Sequence, residues 1–181
     1  MKKILSFFFL LGIVSVLLVS CYKGNNVPSP SEVFNHVPKA PIQILMTDTP
    51  GPYTAVNIDL LQVRARVQDS IWYDLTTNQG IYNLLDFQNG IDTAIVNDSL
   101  PVLAIIDEIR LILGPNNTVE KDSAIYPLVT PSAQQSGIKI KLVQPIYQDS
   151  LNTIKFDFDA NKSVKVNGNN KYRLHPVIKI L

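Results

Sequence analysis

Ile138-Lys139-Ile140-Lys141-Leu142 alternates apolar and charged residues without a break. Successive side chains of a strand point to opposite sides, so this stretch reads as a β-strand with one buried face. Ile154-Lys155-Phe156-Asp157-Phe158 repeats the pattern. It recurs between Lys171 and Ile180, where Tyr172, Leu174, Ile178 and Ile180 are expected inward and Lys171, Arg173, His175 and Lys179 outward. An apolar period of two, broken at short intervals by turn residues, predicts an all-β, antiparallel sandwich or barrel over residues 42–181.

Working outward, the long run from Val56 to Val67 changes phase within itself. Val56, Ile58 and Leu60 share one parity, and Leu61, Val63, Ala65 and Val67 share the other. A β-bulge near Leu60-Leu61 would return both sets to one face. Further strands are expected at 42–47, 71–75, 109–113 and 123–129, and Asn167-Gly168 suits a hairpin turn with positive φ. Between Ser99 and Glu108, Leu103, Ile106 and Ile109 follow a helical stripe, so one short helix is expected there. The chain has 181 residues and no repeat of solenoid or propeller length, which leaves room for one core and no second catalytic domain.

The first twenty residues follow different rules. Lys2 and Lys3 precede a charge-free apolar stretch from Ile4 to Val19, and a small residue, Ser20, stands before Cys21. That stretch is shorter than a spanning helix needs, so residues 1–20 read as a signal peptide. Leu18-Val19-Ser20-Cys21 resembles the lipobox of bacterial lipoproteins, which implies cleavage before Cys21 and attachment of acyl chains, palmitate among them, to that residue. Each buried methylene of such a chain contributes about 0.8 kcal/mol, so several chains hold the protein at the membrane. Cys21 is the only cysteine, and no disulfide can form within the chain. Tyr22 rather than an aspartate follows it, which favours the outer membrane of a Gram-negative bacterium, with the periplasmic and surface leaflets both open. Residues 21–41, with Pro28, Pro30, Pro38 and Pro41 among polar residues, read as a lipidated stalk. Loss of Lys2 and Lys3 takes the net charge from +1 to −1, so no basic field remains to recruit nucleic acid.

From Thr47-Asp48-Thr49-Pro50-Gly51 and Tyr53-x-Ala55-Val56-Asn57 onward, the chain resembles a bacterial lipoprotein family catalogued as domain of unknown function 4382. The likeness continues through Tyr82-Asn83-Leu84-Leu85-Asp86, Asn89-Gly90, Ile109-Arg110-Leu111, Tyr126-x-Leu128 and Pro131-Ser132-x-Gln134-x-Ser136-Gly137. It ends with Asp157-Phe158-Asp159-Ala160-x-Lys162-Ser163 and Lys171-Tyr172-x-Leu174-x-Pro176-Val177-Ile178. The resemblance implies a single β-sandwich, transthyretin-like or immunoglobulin-like, and brings no activity with it. Where that family has Leu-Pro-x-Gly-x-Tyr, this chain has Leu100-Pro101-Val102-Leu103-Ala104-Ile105.

Catalytic chemistry finds little material. The only histidines are His36 in the stalk and His175 on a polar face, which leaves a nucleophilic triad without its base. Zinc ligation lacks ligands once Cys21 is acylated, and no phosphate loop or dinucleotide fingerprint is present. Asp157 and Asp159 lie two apart on a strand, and Asp48 lies in a tight turn. These three carboxylates could form part of a calcium site; the simpler account is that Asp48 caps its own turn while Asp157 and Asp159 face water or pair with Lys155 or Lys162. Trp72 and Tyr73 are adjacent on a strand, so they face opposite ways and one of them belongs to the core. Tyr53, Tyr82, Tyr126 and Tyr147 are further candidates for an aromatic surface. Asp-Ser/Thr pairs leading into apolar or small residues look like the acceptors of a bacterial O-glycosylation system, at Ser70, Thr93, Ser99, Ser123 and Ser150. Turn chemistry is the rival account of these pairs.

The resulting expectation is a non-enzymatic, membrane-anchored envelope module that binds a glycan or an envelope protein, serves adhesion or acts as an accessory, with no cofactor beyond the calcium candidate. Loops 48–53 and 130–137 are its candidate recognition surface. Two alternatives carry other signatures: a fimbrial or assembly subunit with an open strand edge, and a carbohydrate-active enzyme, for which only Glu32, Glu108 and Glu120 supply glutamates.

Overall fold

A computed structural model describes residues 37–130, 136–168 and 171–181. The expected signal peptide, Cys21, His36 and most of the stalk lie outside them. The described chain is an all-β sandwich. In sequence order its strands are β1 (Lys39–Thr47), β2 (Ala55–Val67), β3 (Ile71–Leu75), β4 (Gly80–Asn83), β5 (Thr93–Pro101), β6 (Ile105–Leu113) and β7 (Thr118–Lys121). There follow β8 (Ala124–Val129), β9 (Ile138–Pro145), β10 (Asn152–Phe158), β11 (Val164–Asn167), β12 (Lys171–Leu174) and β13 (Ile178–Ile180). A 3₁₀ turn (Leu84–Phe87) follows β4, and one short helix, α1 (Ala160–Ser163), follows β10.

The smaller sheet runs β13-β10-β1-β5 and the larger β11-β12-β8-β7-β2-β6-β9, with β3 and β4 also paired to β2. Alternation builds the core between them. Ile42, Ile44, Met46, Ile154, Phe156 and Phe158 line the smaller sheet, and Val56, Ile58, Val63, Ala65, Ile106, Ile109 and Leu111 line the larger; all are buried. Each large side chain removed from water in this way contributes about 1.5–3 kcal/mol.

Several local expectations are revised. Pairing is not wholly antiparallel, because β1 runs parallel to β10 and β12 parallel to β8. The sheet begins at Lys39, taking in Lys39, Ala40 and Pro41 from the end of the stalk segment. The β2 bulge is present, with a register slip between Leu60 and Gln62. Leu61, however, is the residue turned out, at 41% exposure, while Val63, Ala65 and Val67 are fully covered.

No helix forms between Ser99 and Glu108. β5 runs to Pro101, a turn closes with the Ala104 N–H donating to the Pro101 carbonyl at 3.2 Å, and β6 starts at Ile105. The helix-like spacing has a simple origin. A register irregularity between Ile106 and Glu108 leaves Ile106 and Ile109, three residues apart, on the same buried face. The final expected strand is two: β12 lies in the larger sheet and β13 in the smaller, with Pro176 between them. Ser163 holds this corner, accepting the His175 N–H at its carbonyl (2.7 Å) and the Val177 N–H at its hydroxyl (2.8 Å). Ile180, expected inside, is 43% exposed on the outer strand of its sheet. β11 and β12 do form a hairpin, from Asn167 paired with Lys171, but Gly168 does not take the left-handed φ expected of it.

Two positions test this packing. Leu103 stands in the turn where the resembled family carries glycine, and its φ is +66°. A side chain in that region costs roughly 1–2 kcal/mol, of which glycine's extra freedom in the unfolded chain takes back a part. Leu103→Gly is therefore expected to raise unfolding free energy by up to about 1 kcal/mol in urea titrations; a loss of stability would refute the strain. Gly114 is the opposite case. A Cβ there would lie 2.2 Å from Asp59 Oδ2, and Asp59 is buried, accepting from Asn116 Nδ2 at 2.9 Å. Gly114→Ala is expected to destabilise by about 2 kcal/mol or more, and an unchanged midpoint would contradict this geometry.

Candidate functional site: a basic face on the larger sheet

The outer face of the larger sheet follows directly from the strand registers. Across β3, β2, β6 and β9 one row reads Asp74, Arg64, Arg110, Lys139. The neighbouring row reads Trp72, Arg66, Glu108, Lys141. Each of these side chains alternates with a core residue along its strand, so the inward positions Val63, Ala65, Ile109 and Ile140 fix the outward ones.

Trp72 is the centre of this face. The Arg110 guanidinium carbon lies 4.3 Å from the ring centroid, that of Arg64 5.3 Å and that of Arg66 5.8 Å, all within cation–π range. Tyr73 turns the other way and packs against the core, as its adjacency to Trp72 requires. Arg64 bonds Asp74 through Nε, Arg66 bonds Asp107 through Nε at 2.5 Å, and Arg110 bonds Glu108 through Nε at 2.6 Å. Asp107's hydrogen bond holds the Arg66 guanidinium above its already high ordinary pKa. Glu108 is only 3% exposed beneath Arg66 and Arg110. Lys139 and Lys141 stand exposed at the β9 side. The eight positions thus hold five cations and two carboxylates, and Asp107 and Asp69 beside them are further partners of Arg66.

The aspartates singled out in the sequence gather around α1, at the end of the sandwich where β1 and β10 finish. Asp48 is buried, and it accepts from the Ala160 N–H at 2.8 Å and from Gln88 Nε2 at 3.1 Å. Burial pushes its carboxyl above the usual range, these hydrogen bonds oppose the rise, and Asp157's charge adds to it. Asp159 caps α1 through the Lys162 N–H (2.9 Å) and pairs with Lys162 Nζ (2.6 Å). Burial acts to raise the Asp159 carboxyl, but the hydrogen bonds and charge of Lys162 outweigh it and hold the group below its ordinary value. Asp157 accepts from the Thr49 hydroxyl at 2.9 Å. All three carboxylates therefore have protein partners, and among the described residues no group of three or more His, Cys, Asp or Glu is placed to hold a metal ion.

Asp69, Asp122 and Asp149, which precede Ser70, Ser123 and Ser150, have φ of +57°, +50° and +58° in turns, the geometry that turn chemistry asks of them. Thr93 and Ser99 lie within β5 and are half-buried. The tyrosines do not assemble into one surface. Tyr126 packs at a tilt against Tyr172, ring centroids 4.9 Å apart, Tyr82 lies 6.2 Å from Phe87, Tyr53 packs on the core, and Tyr147 is exposed elsewhere. Loop 48–53 packs toward α1, with Gly51 against Asn161, and residues 131–135 of the second expected loop lie outside the described chain.

The arginine cluster escaped the sequence reading because no local motif carries it. Arg64-Ala65-Arg66, Arg110, Lys139 and Lys141 become neighbours only once the registers of four strands are known.

No curated protein and no solved structure matches the chain. A family model does match residues 39–176, from the first residue of β1 to Pro176 before β13. By that match, the chain belongs to the family described as Domain of unknown function (DUF4382).

Proposed function

We propose that this protein is a non-enzymatic recognition module of the bacterial envelope, anchored through acylated Cys21, whose larger sheet takes acidic polysaccharide on its arginine–tryptophan–lysine face. The observation that carries this reading is the set of three guanidinium groups gathered over Trp72. Arg64 and Arg110 spend Nε on their carboxylate partners, and a guanidinium has further N–H donors in a fixed fork that suits carboxylate and sulfate oxygens. Arg64, Arg110 and Lys139 sit on consecutive strands, about 4.8 Å apart. A chain bearing anionic groups at regular intervals meets one cation per strand.

A separate observation favours a second reading, an assembly subunit. Among the described residues β9 and β13 pair on one side only, and the cleft of about 340 Å³ between them is lined by Ile138, Lys139, Ile140, Lys141, Pro176, Ile178 and Ile180. An added strand would find unpaired strand edges there, flanked by isoleucine and lysine side chains. Filaments of purified protein that lengthen with concentration would favour this reading, and a single species at every concentration would dismiss it.

Two measurements address the main proposal. Cys21→Ala should abolish acyl labelling and release the protein from washed membranes; full retention would overturn the anchor. Full-length protein in detergent should bind polygalacturonate in preference to neutral dextran, more weakly as salt rises. Lys139→Glu with Lys141→Glu should weaken that binding about tenfold, a change of ~1.4 kcal/mol. Equal binding of the acidic and neutral polymers would refute the assigned face.

A further inference from the structure

We infer that the end of the sandwich where the N-terminal segment joins it rests on the bilayer, with Leu103, Tyr147 and Leu151 in contact with lipid. This rests on the anchored reading above and adds an orientation to it.

Three connections meet at that end: the β2–β3 turn at Gln68–Ser70, the β5–β6 turn at Val102–Ala104 and the β9–β10 loop at Ile146–Leu151. They are tied to each other and to the incoming chain. The Val102 N–H donates to the Pro38 carbonyl at 2.8 Å, the Leu103 N–H to Ile146 at 3.0 Å and the Gln68 N–H to Ile105 at 3.1 Å. Asn152, almost fully buried, accepts the Tyr147 N–H at 2.9 Å and donates to the carbonyls of Pro41 and Tyr147 at 3.1 Å. The 146–151 loop is therefore fastened to the start of β1.

On this fixed frame the chain displays apolar side chains. Leu103 is 78% exposed, Tyr147 60% and Leu151 57%, while Ile105 and Val143 stand exposed on the adjoining strand ends. Leu103 holds its side chain out from a left-handed backbone, where it adds strain and nothing to the core. Large apolar side chains exposed together at one end of a domain mark a contact with a partner or a membrane. The position of the chain selects the membrane, because the segment that leads back to Cys21 arrives at Pro38, in the middle of this surface. The tether confines the domain near the bilayer, so a weak apolar contact is enough to seat it. The charges around it, Lys39, Asp69 and Asp149, are mixed in sign, so the contact is apolar and does not require anionic lipid.

The test uses the full-length acylated protein in phosphatidylcholine vesicles with brominated or ordinary acyl chains. Trp72→Phe removes the native indole, and Tyr147→Trp places a reporter on the proposed surface. Its emission should shift to the blue and be quenched in brominated vesicles, and Leu103→Asp with Leu151→Asp should remove both effects. Ile91→Trp, at the opposite end and 57% exposed, should show neither. Unquenched emission from vesicle-bound Tyr147→Trp protein would overturn the orientation while leaving the anchor intact. Protein that carries no acyl mass and fails to float with vesicles would overturn the anchor, and the orientation with it.

Discussion

The slip in register at Leu60–Gln62 is the constraint on which the rest of the molecule depends. β2 pairs with β3, β4, β6 and β7, and its two halves bury residues of opposite parity. Without the extra residue at the bulge, Val63, Ala65 and Val67 would face water and Arg64 and Arg66 would face the core. Burying two guanidinium groups there would cost several kcal/mol each. One irregular step therefore fixes both the apolar interior of the larger sheet and the cationic surface on its outside.

Legibility in the sequence followed the regularity of the strands. Ile138–Leu142 and Ile154–Phe158 alternate strictly, and both appear as expected because a half-buried strand leaves no freer pattern. The β2 bulge was visible as a change of parity, yet which residue it would expel was not. Leu60 and Leu61 are chemically the same, and only pairing with β6 decides between them. The Ser99–Glu108 error has the same root, since a bulged strand spaces its buried residues by three and so imitates a helical turn. The single segment expected from Lys171 to Ile180 crosses from one sheet to the other because Pro176 cannot donate to a ladder, and the hydrogen bonds of Ser163 that turn the corner come from outside that segment.

The candidate site was less legible than the fold for a related reason. Its members are spread over four strands, and each taken alone is an ordinary solvent-facing charge. What makes them a group is lateral adjacency across the sheet, a property of pairing rather than of spacing. Asp48, Asp157 and Asp159 show the converse. Asp48 stood out in a tight turn and Asp157 and Asp159 by their spacing of two, although β10 ends at Phe158 and Asp159 caps α1; each is occupied, by the Ala160 N–H, the Thr49 hydroxyl and Lys162 respectively.

The placement of β1 carries one more consequence, for the order in which the molecule comes together. It is the first of the described strands in sequence, but it sits inside the smaller sheet, and Pro41 meets Asn152, 111 positions further along the chain. Until the C-terminal third has been synthesised, Ile42, Ile44 and Met46 have no neighbour on that side to shield them. Contacts so distant along the chain slow folding and prolong the aggregation-prone interval. Closure of the smaller sheet is thus postponed until β10 emerges.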